Sequence, residues 1–491
     1  MKPLDMAVIA LYLIGTTLLG LYFAKRQKTT RDYFLGNKNL PWWAILLSII
    51  AQETSAVTIL SIPATAFNPK GGNLTFLQVA AGYVIGRCLI SIIFIPRLYK
   101  GEYFSIYGYL TERFGAATKN VAVLSFIVSR SLAIGARIFV GSILISAVSG
   151  FDTTQSIIIT TLLSILYMTM GGFAAVVWTD VLQFVIYMLS ALTTMAVILY
   201  HPIGGSNIIH TAMDAGKYQL FNFTTDLTVP YALWAGLIGG AFLTMCTHGT
   251  DQGIAQRLLA ANSERNAKKI IIGSGLVIFF QFAFFLTLGT LLFGFYSLVE
   301  PTIFTTIPKN DYIFPIFALK YLPLGLGGLM VAGVFAAAMS SNDFNPMSNA
   351  LINDIYKPYI KPHAQDTHYL YMGKVFTVVF GLITLGVAIL ASKSQKSLLD
   401  LVMTIPSYTF GPLLGIFLMG FFSKKSHQLG VITGAVAGFL VLLTVVPPWP
   451  AAWELYPGLY PKLAWPWLSM VGCLTTMIVG QITSLLFPRK V

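Results

Sequence analysis

Long apolar runs separated by short polar connections make up most of this chain. A run of roughly 17 to 25 apolar residues is enough to cross the hydrocarbon layer as a helix. The pattern predicts about thirteen such spans, beginning near residues 5, 41, 74, 119, 154, 174, 232, 270, 324, 374, 398, 429 and 466. The first lies in MKPLDMAVIALYLIGTTLLGLYFAKRQK, has spanning length and is followed by no small-residue cleavage site, so it reads as a retained helix. The longest connections, near 202–231 and 354–373, are too short to bury a core of their own. The expectation is an all-α polytopic membrane protein built as one transmembrane domain over 1–491.

Composition agrees with lipid as the main solvent, since 56% of residues are hydrophobic and 10% charged, against about 25% charged in soluble proteins. The net charge of +13 does not point to nucleic acid, because the 31 Lys and Arg form short clusters between apolar runs and no continuous basic face. Cys88, Cys246 and Cys473 fall inside apolar segments without CxxC spacing and suggest neither disulfides nor zinc. The placement of the bases says more. With an outside N-terminus and alternating spans, inside segments, among them the connection 251–269 with Arg257, hold 20 bases and outside segments 8, while Arg87, Arg130 and Arg137 lie within spans. Cytoplasmic connections carry the excess of Lys and Arg, which predicts a cytoplasmic C-terminus. The Pro- and Trp-rich stretches at Pro447 to Trp453 and Trp465 to Trp467 fall at span ends, as interfacial anchors do.

A few spans are too polar or too interrupted to be plain lipid-facing helices, and broken helices are where transporters place ions and solutes. In AILLSIIAQETSAVTILSIPATAF, Gln52, Glu53, Thr54, Ser55 and Thr58 cluster mid-span, and Pro63 removes a backbone donor further on. Unwinding here would free carbonyls for a cation. The plainer alternative is that Ser and Thr bond back within a helix that Pro63 only kinks. Glu53 costs about 2.5 kcal/mol or more at membrane depth unless it is paired or functional. It either joins Arg87, Arg130 or Arg137 in a buried ion pair, contacts solute hydroxyls or amines, or carries a proton. In GVFAAAMSSNDFNPMSNALINDIY, Ala336 to Ala338 allow close backbone approach, and Ser340, Ser341 and Asp343 offer the oxygens that hard cations take. Asp180, in MGGFAAVVWTDVLQF, lies on an ion path or is a solvated acid at a helix end.

The blocks GLYFAKRQKTTRDYFLGNKNLPWW, TDQGIAQRLLA, AAAMSS and DIY, in this order and spacing, resemble the sodium:solute symporter family, which includes bacterial sialic acid, proline and galactose symporters and the sodium-glucose cotransporters. The resemblance implies a LeuT-like fold: a leading helix and cytoplasmic loop (1–40), two inverted five-helix repeats (41–230 and 231–423) and two trailing helices (424–491). It implies a sodium ion held by the carbonyls of Ala51, Thr54 and Ala337 and the hydroxyls of Ser340 and Ser341. Asp180 matches the aspartate of a second sodium site found in some members, but Asn342, Asp343 and Phe344 replace its serines. Asp343 then either adds a carboxylate to that site or pairs with an arginine.

The implied activity is sodium-coupled symport of a small polar solute by alternating access, with a proton-coupled symporter using Glu53, Asp180 or Asp343 as the alternative. Each sodium charge gains about 2.3 kcal/mol per 100 mV of membrane potential. Substrate contacts are expected from Glu53, Ser55, Thr58, Gln78, Thr247 and Tyr408. The family's sialic acid symporters grip the carboxylate with an arginine, and Arg130 and Arg137 are displaced from that position by about three and four residues, so sialic acid is not favoured. Glu53 favours hydroxyls or amines that donate to it, which ranks sugars or polyols first, amino acids second and organic acids third. Only His248 of the six histidines lies near the interior half of a span, which leaves no catalytic constellation and argues against an enzyme. The expected partners are sodium, the solute and the bilayer of a bacterial inner membrane, with no obligate protein partner.

Overall fold

The computed structural model describes residues 3–24, 28–101, 103–340, 342–393, 398–445 and 463–488, and the regular elements among them are all helical. Among the described residues eight helices are long and apolar enough to cross a membrane, and a bent pair adds a ninth crossing if it counts as one span. The principal helices are α1 (Pro3–Ala24), the bent pair α2 (Trp42–Glu53) and α3 (Ala56–Phe67), α4 (Leu77–Ile93), α5 (Ala116–Ser149) and α6 (Thr153–Leu199). They continue with α7 (Gly240–Gly249), α8 (Gln252–Leu259), α9 (Glu264–Val299), α10 (Leu326–Ser340), α11 (Asn345–Ala350), α12 (Asp366–Ala391), α13 (Leu398–Phe422), α14 (Gln428–Val445) and α15 (Trp465–Leu486).

Helix α6 runs 47 residues, about 70 Å at 1.5 Å per residue, twice what a bilayer needs. It is broken at Gly172, where φ 59° and ψ −162° leave the helical region. Its two arms account for the spans predicted near 154 and 174, which join with no loop between them. That backbone region is open essentially to glycine alone. Gly172→Ala is therefore expected to cost about 1–3 kcal/mol, read as a lowered midpoint in unfolding of the purified protein, and an unchanged midpoint would refute the strain.

Other predicted spans are interrupted. The run near 324 stops at Ser340 and restarts as α11. The segment 251–269, read as a connection, begins with a helix, α8, all eight of whose residues are buried in the protein. Asp251 starts this helix by accepting from the Gly253 amide at 2.7 Å.

Small residues let two of the central helices touch. A Cβ on Gly82 of α4 would lie 2.1 Å from the Gly236 carbonyl oxygen, and one on Gly86 would lie 2.1 Å from Thr244 Cγ2 of α7. Such close approach is how helices associate where lipid removes the hydrophobic drive. It sets Arg87 of α4 directly beside His248 of α7. Outward-facing Leu11, Ile92, Phe280 and Leu390 are exposed, as side chains turned to lipid would be.

Candidate functional site

The site begins where α2 gives way to α3. Thr54 (ψ 90°) and Ser55 (ψ 174°) leave the helical region, and the chain bends by 64°. The Ser55 amide, which a continuous helix would give to the Ala51 carbonyl, donates to the Glu53 carbonyl at 3.0 Å. Ala51 O is thereby released. Ser340, the last residue of α10, brings its hydroxyl to it, donating to Ala51 O at 2.8 Å and lying 3.2 Å from Ala337 O and 3.5 Å from Thr54 O. Three carbonyls and a hydroxyl converge, all fully buried, and such a set of hard oxygens suits a sodium ion. Gln281 of α9 fastens the break by donating to Thr54 Oγ1 at 2.7 Å. Ser341, the expected fifth ligand, lies outside the described residues.

One turn from these oxygens a cavity of about 100 Å³ opens, lined by Gln52, Glu53, Thr58, Tyr83, Thr247 and Phe282. Its charges are unevenly matched. Glu53 is bonded to the fully buried guanidinium of Arg87 and lies 3.4 Å from His248 Nε2. Arg130 reaches Asp251 at 3.2 Å but leaves its buried Nε and second amino nitrogen unbonded. Arg137 also faces the cavity, has no carboxylate partner among the described residues, and its buried Nε has no acceptor. The balance of the cavity is positive.

Beside the site is a buried ion cluster. Arg257 of α8 donates to Asp180 at 2.8 Å and to Asp343 at 2.7 Å, while its Nε donates to Ser48 Oγ at 2.7 Å. Ser48 in turn donates to Asp180 at 2.5 Å and Gln52 to Asp343 at 3.3 Å. All three charged groups are at most 1% exposed. The cluster ties α2, α6 and α8 to the link between α10 and α11.

The structure thus brings Ala51, Thr54, Ala337 and Ser340 together, and Glu53, Thr58 and Thr247 to one cavity. Ser55 is buried at the start of α3 and does not line that cavity. Two expected contacts are elsewhere. Gln78 is spent on the Tyr231 carbonyl at 2.7 Å and the Asn222 amide at 3.3 Å. Tyr408 borders a separate apolar cavity with Val121, Leu124 and Pro412. Asp180 and Asp343, expected near a second ion, are both occupied by Arg257. In the sequence Arg257 reads as a loop base, and nothing there singles out Tyr83 or Thr244. The block TDQGIAQRLLA held a usable signal, because Ile254, Leu258 and Leu259 flank its arginine with apolar residues.

The sequence profile of the sodium:solute symporter family matches residues 33–438. The chain is 28% identical over 499 residues to the sodium/sialic acid symporter SiaT of Proteus mirabilis, covering 99% of this chain and 96% of that one. It is also 28% identical to the sodium-coupled monocarboxylate transporter 1 of Xenopus laevis, covering 99% and 78%. A solved structure of a substrate-bound, outward-open sodium-coupled sialic acid symporter superposes with a TM-score of 0.87 at 26% identity, covering 99% of this chain and 98% of that one. The fold is LeuT-like, the coupling ion is sodium and the protein is a multi-pass membrane transporter, not an enzyme. With a profile match over most of its length and a helix break facing Ser340, the chain belongs to the sodium:solute symporter family, a group of sodium-coupled solute symporters.

Proposed function

We propose that this symporter carries a carboxylate-bearing organic solute, a sugar acid or a small monocarboxylate, inward with sodium. The observation that supports this is the uncompensated Arg137 in the central cavity. A guanidinium binds a carboxylate through two parallel charge-assisted hydrogen bonds. Arg137 is only half-buried, but a neutral sugar seated against it would displace water from the guanidinium without matching its charge. This reverses the order suggested by Glu53, which favoured sugars or polyols as long as its carboxylate was unassigned; Arg87 already holds it. The two relatives above carry sialic acid and monocarboxylates by name, both carboxylates. Thr58, Thr244, Thr247 and Tyr83 supply hydroxyls for the rest of the solute.

The sodium is assigned to Ala51, Thr54, Ala337, Ser340 and Ser341. Asp180 and Asp343 are assigned to Arg257 as structural partners, not to a second ion. Ion and solute share one segment, Gln52 to Thr58, so a cation that orders the break also sets Glu53 and Thr58 in place. That differential stabilisation is what a coupling ion requires. At about 100 Å³ the cavity is below the roughly 300 Å³ at which small-molecule pockets begin, so seating a sugar acid needs its lining side chains to move apart. The membrane is taken to be the bacterial inner membrane, with the N-terminus outside.

The test is sodium-driven uptake into proteoliposomes with sugar acids, monocarboxylates, neutral sugars and amino acids. Carboxylates should be taken up and neutral sugars ignored. Arg137→Gln should raise the half-saturating solute concentration about 10- to 150-fold, the equivalent of about 1.5–3 kcal/mol for hydrogen bonds to a charged group, with sodium-induced stabilisation kept. Uptake of neutral sugars with indifference to carboxylates would overturn the reading.

A further inference from the structure

A groove of about 1040 Å³ runs between α2 and the first half of α9, well away from the central cavity. One face of α9 forms its length. Arg265, Lys268 and Lys269 stand at the mouth, and Ile272, Gly273 and Leu276 continue the same face at helical spacing. Trp42 and Leu46 of α2 form the opposite wall. The groove is therefore basic at one end and apolar along the rest, with the change completed over two turns of helix.

The charges at the mouth are not cancelled. Glu264 pairs with Lys268 at 2.6 Å, leaving Arg265 and Lys269 exposed and with no acidic partner among the described residues. The apolar length is open as well, since Trp42 is 45% and Leu276 48% exposed. Gly273 keeps the floor low, because a Cβ there would lie 2.7 Å from Leu46 Cδ1. Trp42 is placed as interfacial tryptophans are, at the start of a span.

We propose that this groove seats one anionic phospholipid, with its phosphate at Arg265 and Lys269 and an acyl chain along Ile272, Gly273 and Leu276 against Trp42 and Leu46. Charge complementarity selects the headgroup and the apolar wall selects a lipid over a free phosphate. Basic pockets between membrane helices are recognised sites for anionic headgroups. The lipid would lie against α2, the helix that ends at the sodium-site carbonyls.

The experiment is native mass spectrometry of the full chain in detergent, titrated with phosphatidylglycerol or phosphatidylcholine of matched acyl chains. Wild type is expected to retain phosphatidylglycerol in preference. Arg265→Gln with Lys269→Gln should weaken that binding about fivefold per base removed, the equivalent of about 1 kcal/mol each, and leave phosphatidylcholine unchanged. Gly273→Leu, which fills the groove and keeps both bases, should also weaken it. Sodium-induced stabilisation reports that each variant is folded, and the exposed Arg265 and Lys269 changes test the headgroup contact even where Gly273→Leu does not fold. Equal retention of the two lipids by wild type, or an undiminished preference in the charge-removed variant, would overturn the proposal. So would full binding by a folded Gly273→Leu variant, which would leave surface charge alone as the cause.

Discussion

Arg257→Met is expected to destabilise the protein by about 3–5 kcal/mol, the usual cost of removing one partner from a buried ion cluster. The loss should be this large because two carboxylates, Asp180 and Asp343, are left at no more than 1% exposure with no guanidinium between them. Their remaining donors, Ser48 and Gln52, are neutral. Removing the acids as well should restore most of the stability, so Arg257→Met with Asp180→Asn and Asp343→Asn is expected nearer to wild type than Arg257→Met alone. The measurement is the unfolding midpoint of the three purified proteins in sodium and in potassium. If Arg257→Met alone stays within about 1 kcal/mol of wild type, the cluster is not the tie between α2, α6, α8 and the α10–α11 link that its geometry describes. A sodium effect that disappears in Asp180→Asn alone would instead assign that acid to an ion.

Ser340→Ala should raise the sodium concentration for half-maximal stabilisation at least tenfold, the equivalent of about 1.4 kcal/mol. The substitution deletes the side-chain oxygen that meets Ala51 O, Ala337 O and Thr54 O. It also strips the Ala51 carbonyl of its donor, at a cost of about 1 kcal/mol, which will appear in potassium too. The informative quantity is therefore the difference between sodium and potassium, because an ion that binds only the folded state stabilises it by mass action. An unaltered sodium response would remove Ser340 from the site. A response to lowered pH in place of sodium would favour proton coupling.

Much of the fold was legible in the chain because a bilayer imposes one solution on a long apolar run, a helix of about twenty residues. The polar cluster at Gln52 to Thr58 was legible for the same reason, since polar groups at that depth need a partner or an opening, but unwinding there and a mere kink at Pro63 both stayed open. Ser340 was found through its neighbours in AAAMSS. The thirteen-span pattern blurred where helices break or fuse: at Gly172 two spans share one helix, and α8 is a buried helix within a segment that hydropathy read as a connection. A positive φ at one glycine leaves no trace in hydropathy, and a buried arginine looks in sequence like a solvated one.

The sequence by itself determined the solvent, the helical class and the oxygen-bearing residues near 52–58 and 340; that α2 unwinds after Glu53 and does not merely kink at Pro63 was decided in the fold. Tertiary structure alone decided which charge answers which. Arg87 took Glu53 from 34 residues away, and Arg257 took Asp180 and Asp343 from 77 and 86 residues away. Arg137 remained to give the cavity its sign. These pairings follow from which helices cross at what depth, and the crossing is set by packing such as that of Gly82 and Gly86 against α7 and the residues just before it. A buried charge can be recognised from sequence as needing a partner, but the low-dielectric contact that satisfies it is made only when the helices meet.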